Sequence, residues 1–318
     1  MKSVTYAYLG PDDEAAKFAK KGTASDITLF NAKKGDAHLN IVTPTRFPDK
    51  VTPLLYALDL ADEVVLHPQN VDRHLGETIV ACELLGKTSG YVRASENANA
   101  AQLRGLLAKT ALKTLEVTEE SEATFRERLY ETAALSTDGA CIVPVDHSFP
   151  VKGVGTVILG LVRSGEVKAH DALQAYPGPK KVDIRSIQVH DVDVKGAPTR
   201  SRVGLAVKNV EPQDVPRGTV LAAPGSLKVL PAGSSVTFDA RLHPFSKWEP
   251  RAGAVLRLFH VLQDVVFRVT DVNPPASPTP KITGKLETPV AVVPDQPGVL
   301  VDLDNKVQRL VGSVAFGA

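Results

Sequence analysis

Over the first 144 residues, apolar positions shift repeatedly between a two-residue and a 3.6-residue period. VTYAYLG (Val4–Gly10) has strand composition, and PDDEAAKFAKK then opens with Pro11 and two aspartates, as helix N-termini do. DITLFN and HLNIVT are alternating runs separated by Lys33-Lys34-Gly35-Asp36, which predicts a hairpin. Val51, Leu54, Leu55 and Leu58 share one helical face over Pro48–Ala61, and EVVLHP follows as a buried strand. Further alternation predicts helices over 72–85, 98–108 and 122–134, with strands at TSGYVRA, TLEVTE and ACIVPVD. Strands alternating with ten- to fifteen-residue helices predict a doubly wound α/β domain over 1–144.

After about residue 145 the helical period disappears. Short β-rich runs with turn signals every 8–12 residues fill 145–228, which predicts a small β-barrel. A second set, from SVTFDARLHPF to VQRLVGSVAF, predicts another barrel over 229–318. The insert NPPASPTP (Asn273–Pro280) must be a loop, since proline cannot donate within a sheet.

Charge changes this picture little. Residues 1–144 hold 16 lysines and arginines against 20 acidic residues, and the remainder holds 21 against 16. A mildly basic second half fits either a mixed solvated surface or a modest nucleic-acid footprint. The 43% hydrophobic content excludes a mainly disordered chain, and no run approaches the ~20 apolar residues of a membrane span. The start, MKSVTYAYLG, has no apolar signal core. With only Cys82 and Cys141, neither a disulfide framework nor a four-thiolate zinc site is available. The expectation is a reduced, cytoplasmic protein. The eight histidines show no metal-ligand spacing, no serine sits in a nucleophile elbow, and neither metal nor cofactor is expected. Lys20-Lys21-Gly22-Thr23 reads as a glycine-capped helix end with lysines on the macrodipole.

The segment Asp146-His147-Ser148-Phe149-Pro150-Val151-Lys152-Gly153-Val154-Gly155-Thr156-Val157, with Gly160 and Gly165, carries a pattern of correlated glycines. So do Gly204–Val210 and Asp214–Ala222. Together they resemble the second domain of elongation factor Tu-type translational GTPases. Asp146–Phe149, Ser186-Ile187-Gln188 and Arg241–Trp248 are most similar to SelB, the selenocysteine-specific elongation factor. The resemblance implies a GTPase-like (P-loop-NTPase-like) α/β domain over 1–144, then β-barrels over 145–228 and 229–318. It also implies that Asp146, His147 and Arg202 face the aminoacylated end of a tRNA. His147 stands where those factors carry arginine, replacing a permanent charge with a group ordinarily neutral at pH 7.

GTP chemistry does not carry over with the architecture. A P-loop needs G-x-x-x-x-G-K-[ST], whereas Leu9-Gly10-Pro11-Asp12-Asp13-Glu14 presents three carboxylates. Thr43–Pro48 lacks the Asp-x-Pro-Gly-His of a second switch, and Tyr91–Asn97 lacks the guanine-specific Asn-Lys-x-Asp. The implied activity is a paralogue that binds no nucleotide and catalyses nothing, with tRNA, another RNA or a translation partner as ligand, and neither DNA nor membrane. The rival readings are an elongation factor with an altered GTP site, and a protein-interaction scaffold. Lys180, Lys181, Arg200 and Arg217 join Asp146, His147 and Arg202 as candidate RNA contacts. For Lys180 and Lys181 the competing role is a solvated hairpin edge, and for the arginines it is ion pairing at the barrel rim. The chain stops directly after the third domain, so no SelB-type carboxy-terminal extension is expected.

Overall fold

The computed structural model describes residues 2–131, 136–274 and 277–316. It divides into two compact units, 1–135 and 136–318. The end of the helix expected over 122–134 and part of the Pro-rich insert lie outside the described residues.

The first unit is built on β1 (Lys2–Leu9), α1 (Asp12–Ala16), β2 (Lys20–Ala24), β3 (Thr28–Lys34), β4 (Ala37–Thr43), α2 (Thr52–Leu60) and β5 (Glu63–Leu66). It continues through α3 (Arg73–Leu84), β6 (Gly90–Arg93), α4 (Ala100–Leu107), β7 (Glu116–Thr118) and α5 (Glu122–Arg128). The seven strands form one sheet in the order β2-β3-β4-β1-β5-β6-β7. From β4 to β7 every neighbouring pair is parallel, while β2, β3 and β4 pair antiparallel. The middle of the sheet is buried on both faces: β4 is buried throughout, and β1 from Ser3 to Leu9. Along β4 the polar His38 and Asn40 alternate with Leu39 and Ile41, yet both faces are buried, so the alternation in the sequence does not mark a solvent face.

Two expectations fail here. Lys20–Ala24 is the edge strand β2, paired with β3, not a glycine-capped helix end. The first helix is only five residues long, with Ala15 its one buried residue, because the chain leaves it to enter β2 at Lys20. The run containing Ile142-Val143 does not close the α/β sheet. It opens the long strand Ile142–Val151 of the second unit.

In the second unit, Ala172–Tyr176, Val220–Ala222, Ile142–Val151, Gly155–Leu161, Arg202–Lys208 and Lys180–Val189 pair in sequence, and the last pairs back onto the first to close a six-stranded ring. A second closed six-stranded barrel runs Ser235–Leu242, Lys281–Leu286, Gln263–Asn273, Val255–His260, Gly298–Val301 and Leu310–Ala315. Closure leaves neither barrel an open edge to satisfy, which removes any need for covering helices. The only helical turn described in this unit is Pro212–Asp214.

The two barrels share a core. Ile142, Tyr176, Val220 and Ala222 of one pack with Val261, Ala291 and Val293 of the other. Gly218, at φ +90°, presses so close to Leu262 and Gln263 that an added Cβ would lie 2.9 Å from the Leu262 carbonyl oxygen. Each barrel also keeps an interior of its own. No described helix is long and apolar enough to cross a membrane.

Candidate functional site

Strand Ile142–Val151 alternates into the barrel core through Val143 and Val145, then loses register against Gly155–Leu161 between Val145 and His147. A bulge inserts one residue and re-aims the side chains around it, and here that residue is Asp146. The bulged backbone is held from the facing loop. Gly218 N–H donates to the Val145 carbonyl at 3.1 Å, and Arg217 Nε donates to the Asp146 carbonyl at 3.0 Å.

The Asp146 carboxylate, fully buried, receives both guanidinium nitrogens of Arg202, one through a direct ion pair and one at 3.2 Å. Arg202 is itself only 11% exposed. His147 Nδ1 lies 3.0 Å from Asp146 Oδ1, and Arg217 Nη2 lies 3.3 Å from His147 Nε2. An arginine only donates, so Nε2 accepts and Nδ1 carries the hydrogen that Asp146 receives. Burial on its own would raise the Asp146 pKa, but the Arg202 charge and the hydrogen bonds from His147 and Arg202 outweigh it and hold it at about 2. Four candidates, Asp146, His147, Arg202 and Arg217, therefore form one bonded cluster.

Lys180 and Lys181 pair with other carboxylates, Lys180 with Asp214 at 3.0 Å and Lys181 with Asp183 at 2.9 Å on the same strand. Arg200 lies in the turn leading into Arg202–Lys208, at φ +69°, its N–H donating to the Val162 carbonyl. Lys180 does line a groove of about 610 Å³ together with Lys152, Arg185 and Lys208, facing Glu211 and Asp214. Among the described residues, neither Lys152 nor Lys208 has an ion pair, and both are exposed. Phe149, on the strand that leads to the groove, is 38% exposed. Lys152, Arg185 and Lys208 were not singled out in the sequence. Only Lys152, next to Gly153, had a local signal; Arg185 and Lys208 reach the groove from the strands Lys180–Val189 and Arg202–Lys208.

In the first unit, the carboxyl ends of β1, β4 and β5 surround a cavity of about 270 Å³. Ligands in open α/β sheets bind at this edge. Gly10 closes the loop after β1 onto β5: a Cβ there would lie 2.8 Å from both Cβ and the carbonyl oxygen of His67. Asp12 accepts from the Thr45 hydroxyl at 3.2 Å, and Glu14 pairs with Lys17 at 2.8 Å. His67, 7% exposed, was counted in the sequence only among histidines without metal spacing. Its Nδ1 sits 2.6 Å from the Tyr8 hydroxyl. Burial, then the charge of Arg93, lowers its pKa to about 4, so the ring is neutral at physiological pH. Among the described residues no cluster of three or more His, Cys, Asp or Glu could hold a metal.

No protein-family profile matches the chain. It is 34% identical to the uncharacterized protein MJ0325 of Methanocaldococcus jannaschii over 275 residues, spanning 86% of this chain and 88% of that protein. Over 81 residues it is 41% identical to the selenocysteine-specific elongation factor of the same organism, a stretch of 26% of this chain and 17% of that factor. The crystal structure of a bacterial selenocysteine-specific elongation factor superposes on 99% of this chain with a TM-score of 0.80 at 19% identity. The match takes in 58% of that structure's chain, and at such identity it bears on the fold alone.

Proposed function

Because this chain belongs to the family of MJ0325, a SelB-like family with the architecture of elongation factor Tu, we propose that it is a cytoplasmic translation-factor paralogue that binds the acceptor end of tRNA without binding or hydrolysing GTP. The observation that carries the reading is the groove of the first barrel. Four cations, Lys152, Lys180, Arg185 and Lys208, stand against two carboxylates, and the exposed ring of Phe149 is set on the strand beside them. Cations that track phosphates and an aromatic face that stacks on a base are the two parts of a single-strand binding surface. In this reading the cluster around Asp146 is a brace. Arg202 is committed to Asp146, so the contact with RNA falls to the unpaired lysines, and Arg202 acts by fixing the bulge that orients this strand.

The absence of GTP binding is supported by the first unit. β1 runs into a five-residue helix opening with Asp12, Asp13 and Glu14, and Gly10 is packed onto His67 where a phosphate cradle would need space.

The test is fluorescence anisotropy of labelled tRNA across a salt series. The wild type should bind with an affinity that falls steeply with salt, and Lys152→Ala/Lys208→Ala should lower the log–log slope by about 1–2. A protein that binds no tRNA at low salt, or a double variant with an unchanged slope, would refute the reading.

A further inference from the structure

The cavity at the carboxyl edge of β1, β4 and β5 belongs to none of the chemistry described above. Its size comes first. At about 270 Å³ it falls just below the ~300–1,000 Å³ of sites for drug-sized ligands, which leaves room for one ring system and not for a nucleoside triphosphate.

The charge of its lining is equally restrictive. No lysine or arginine lines it, and its one carboxylate, Asp72, is already spent. Asp72 Oδ1 accepts from the N–H groups of His74 and Leu75 at 2.9 and 3.1 Å. Those are the donors with which the start of α3 would otherwise attract an anion. A phosphate would meet a carboxylate where it needs open N–H groups.

What remains is a set of flat walls with polar edges. Pro11, Pro44, Pro68 and Phe47 supply the walls, and the His74 ring stands nearly perpendicular to Phe47, at 84° with centroids 6.1 Å apart. At the edge, His67 is fixed in one tautomer. Nδ1 and the Tyr8 hydroxyl share a hydrogen bond, and the backbone N–H of His67 donates to the Leu9 carbonyl at 3.0 Å, fixing the chain that carries the ring. Among the described residues Nδ1 is the one acceptor within reach of the buried Tyr8 O–H, so that O–H donates, Nδ1 accepts and the ring hydrogen lies on Nε2. That nitrogen has no hydrogen-bond partner among the described residues, in a side chain more than nine-tenths buried that lines the cavity. Gln69 spends its amide N–H on the His67 carbonyl at 3.4 Å and keeps its oxygen as an acceptor. Asn70 contributes a donor and an acceptor.

We propose that this cavity binds an uncharged planar heterocycle, a nucleobase presented without its phosphates, whose ring acceptor takes the hydrogen on His67 Nε2. The base is either that of a free nucleoside or an unstacked base of a single-stranded RNA. Either source presents the same ring edge to His67. This goes beyond the tRNA reading and does not rest on it, since that reading concerns the second unit.

The experiment uses the full chain and NMR. Adenosine, guanosine, cytidine and uridine are titrated separately, each beside its 5′-triphosphate, and a tetra-adenylate and a tetra-uridylate serve as RNA probes. At least one nucleoside should bind with Kd below about 1 mM, at least tenfold more tightly than its triphosphate. Its base protons should show intermolecular NOEs to the Phe47 ring. A nucleoside that binds as tightly as the tetranucleotide of its base indicates a free ligand, and a tighter tetranucleotide with the same NOEs indicates RNA; both support the site. His67→Leu should weaken binding at least tenfold, and His67→Gln, whose amide reaches the same point, should restore most of it. If His67→Leu does not fold, the wild-type NOEs still decide. No binding of any nucleoside at 5 mM, a triphosphate that binds as well as its nucleoside, or binding without contacts to Phe47 each overturns the proposal.

Discussion

Replacing Arg202 by methionine should be the most damaging single change to the first barrel. Asp146 is fully buried, and Arg202 supplies both of its strong partners apart from His147. The carboxyl pKa sits at about 2 against an ordinary 3.8. At ~1.36 kcal/mol per unit, the folded environment favours the charged form by roughly 2–3 kcal/mol. That stability is present above pH ~4 and is lost as pH falls through about 2, because the group is depressed on folding. Removing Arg202 does more than cancel it. Burial, the largest influence on this group, is then opposed only by His147, and an uncompensated buried charge costs about 3–5 kcal/mol. In the variant the carboxyl protonates more readily than in the unfolded chain, so the loss should shrink on acidification. Hydrogen exchange of peptides from 142–161 and 202–208, corrected for intrinsic rates, reports this locally without assuming that the whole chain unfolds in one step. The expected result is a loss of about 3–5 kcal/mol at pH 7, falling by at least 1 kcal/mol at pH 4, with Asp146→Asn/Arg202→Met less damaged than Arg202→Met alone. A loss under about 1 kcal/mol at pH 7, or strict additivity in the double variant, would show that the pair is not the brace described here.

Two further outcomes follow from packing. Gly10→Ala would force a Cβ against His67 at 2.8 Å from backbone oxygen, and should cost about 1–3 kcal/mol, read as a lower Tm with no change in the barrels' exchange; an unchanged Tm would mean the loop yields freely. Burial, followed by the charges of Asp171 and Glu166, pushes the Cys141 thiol up to about 12, and Cys82 is fully enclosed, so a thiol reagent at pH 8 should titrate neither within minutes and both after denaturation. Rapid native labelling of either cysteine would contradict this environment.

The alternation of strand and helix and the later Gly-punctuated runs were legible because each reflects a local period. The failures have equally local causes. Lys20-Lys21-Gly22-Thr23 has the charges and glycine of a helix end, and only pairing with β3 makes it a strand. The strand beginning at Ile142 has the same composition whichever sheet receives it, and its destination is decided by partners at 155–161 and 220–222. The candidate cluster was legible by position but not by bonding. Asp146 and Arg202 lie 56 residues apart, so nothing local announces that one neutralises the other. His67 was the opposite case: a single histidine after an apolar run carries no spacing signal, and its interest arises only when Tyr8 and Gly10 are brought against it.

The wall shared by the two barrels makes them a single mechanical part. Val220 and Ala222 rest on Ala291 and Val293, and Gln263 is tied to Ala291 by a reciprocal pair of hydrogen bonds at 2.8 Å. A cut in the segment joining the barrels would leave two raw apolar faces instead of two finished modules, and each half would be prone to stick to copies of itself. Pulled from its ends, the pair should first hold and then give way in one rupture, because the seam and the barrels on either side of it draw on the same side chains. Gene rearrangements that shuffle one barrel without the other would therefore be purged by insolubility before any loss of binding could be felt.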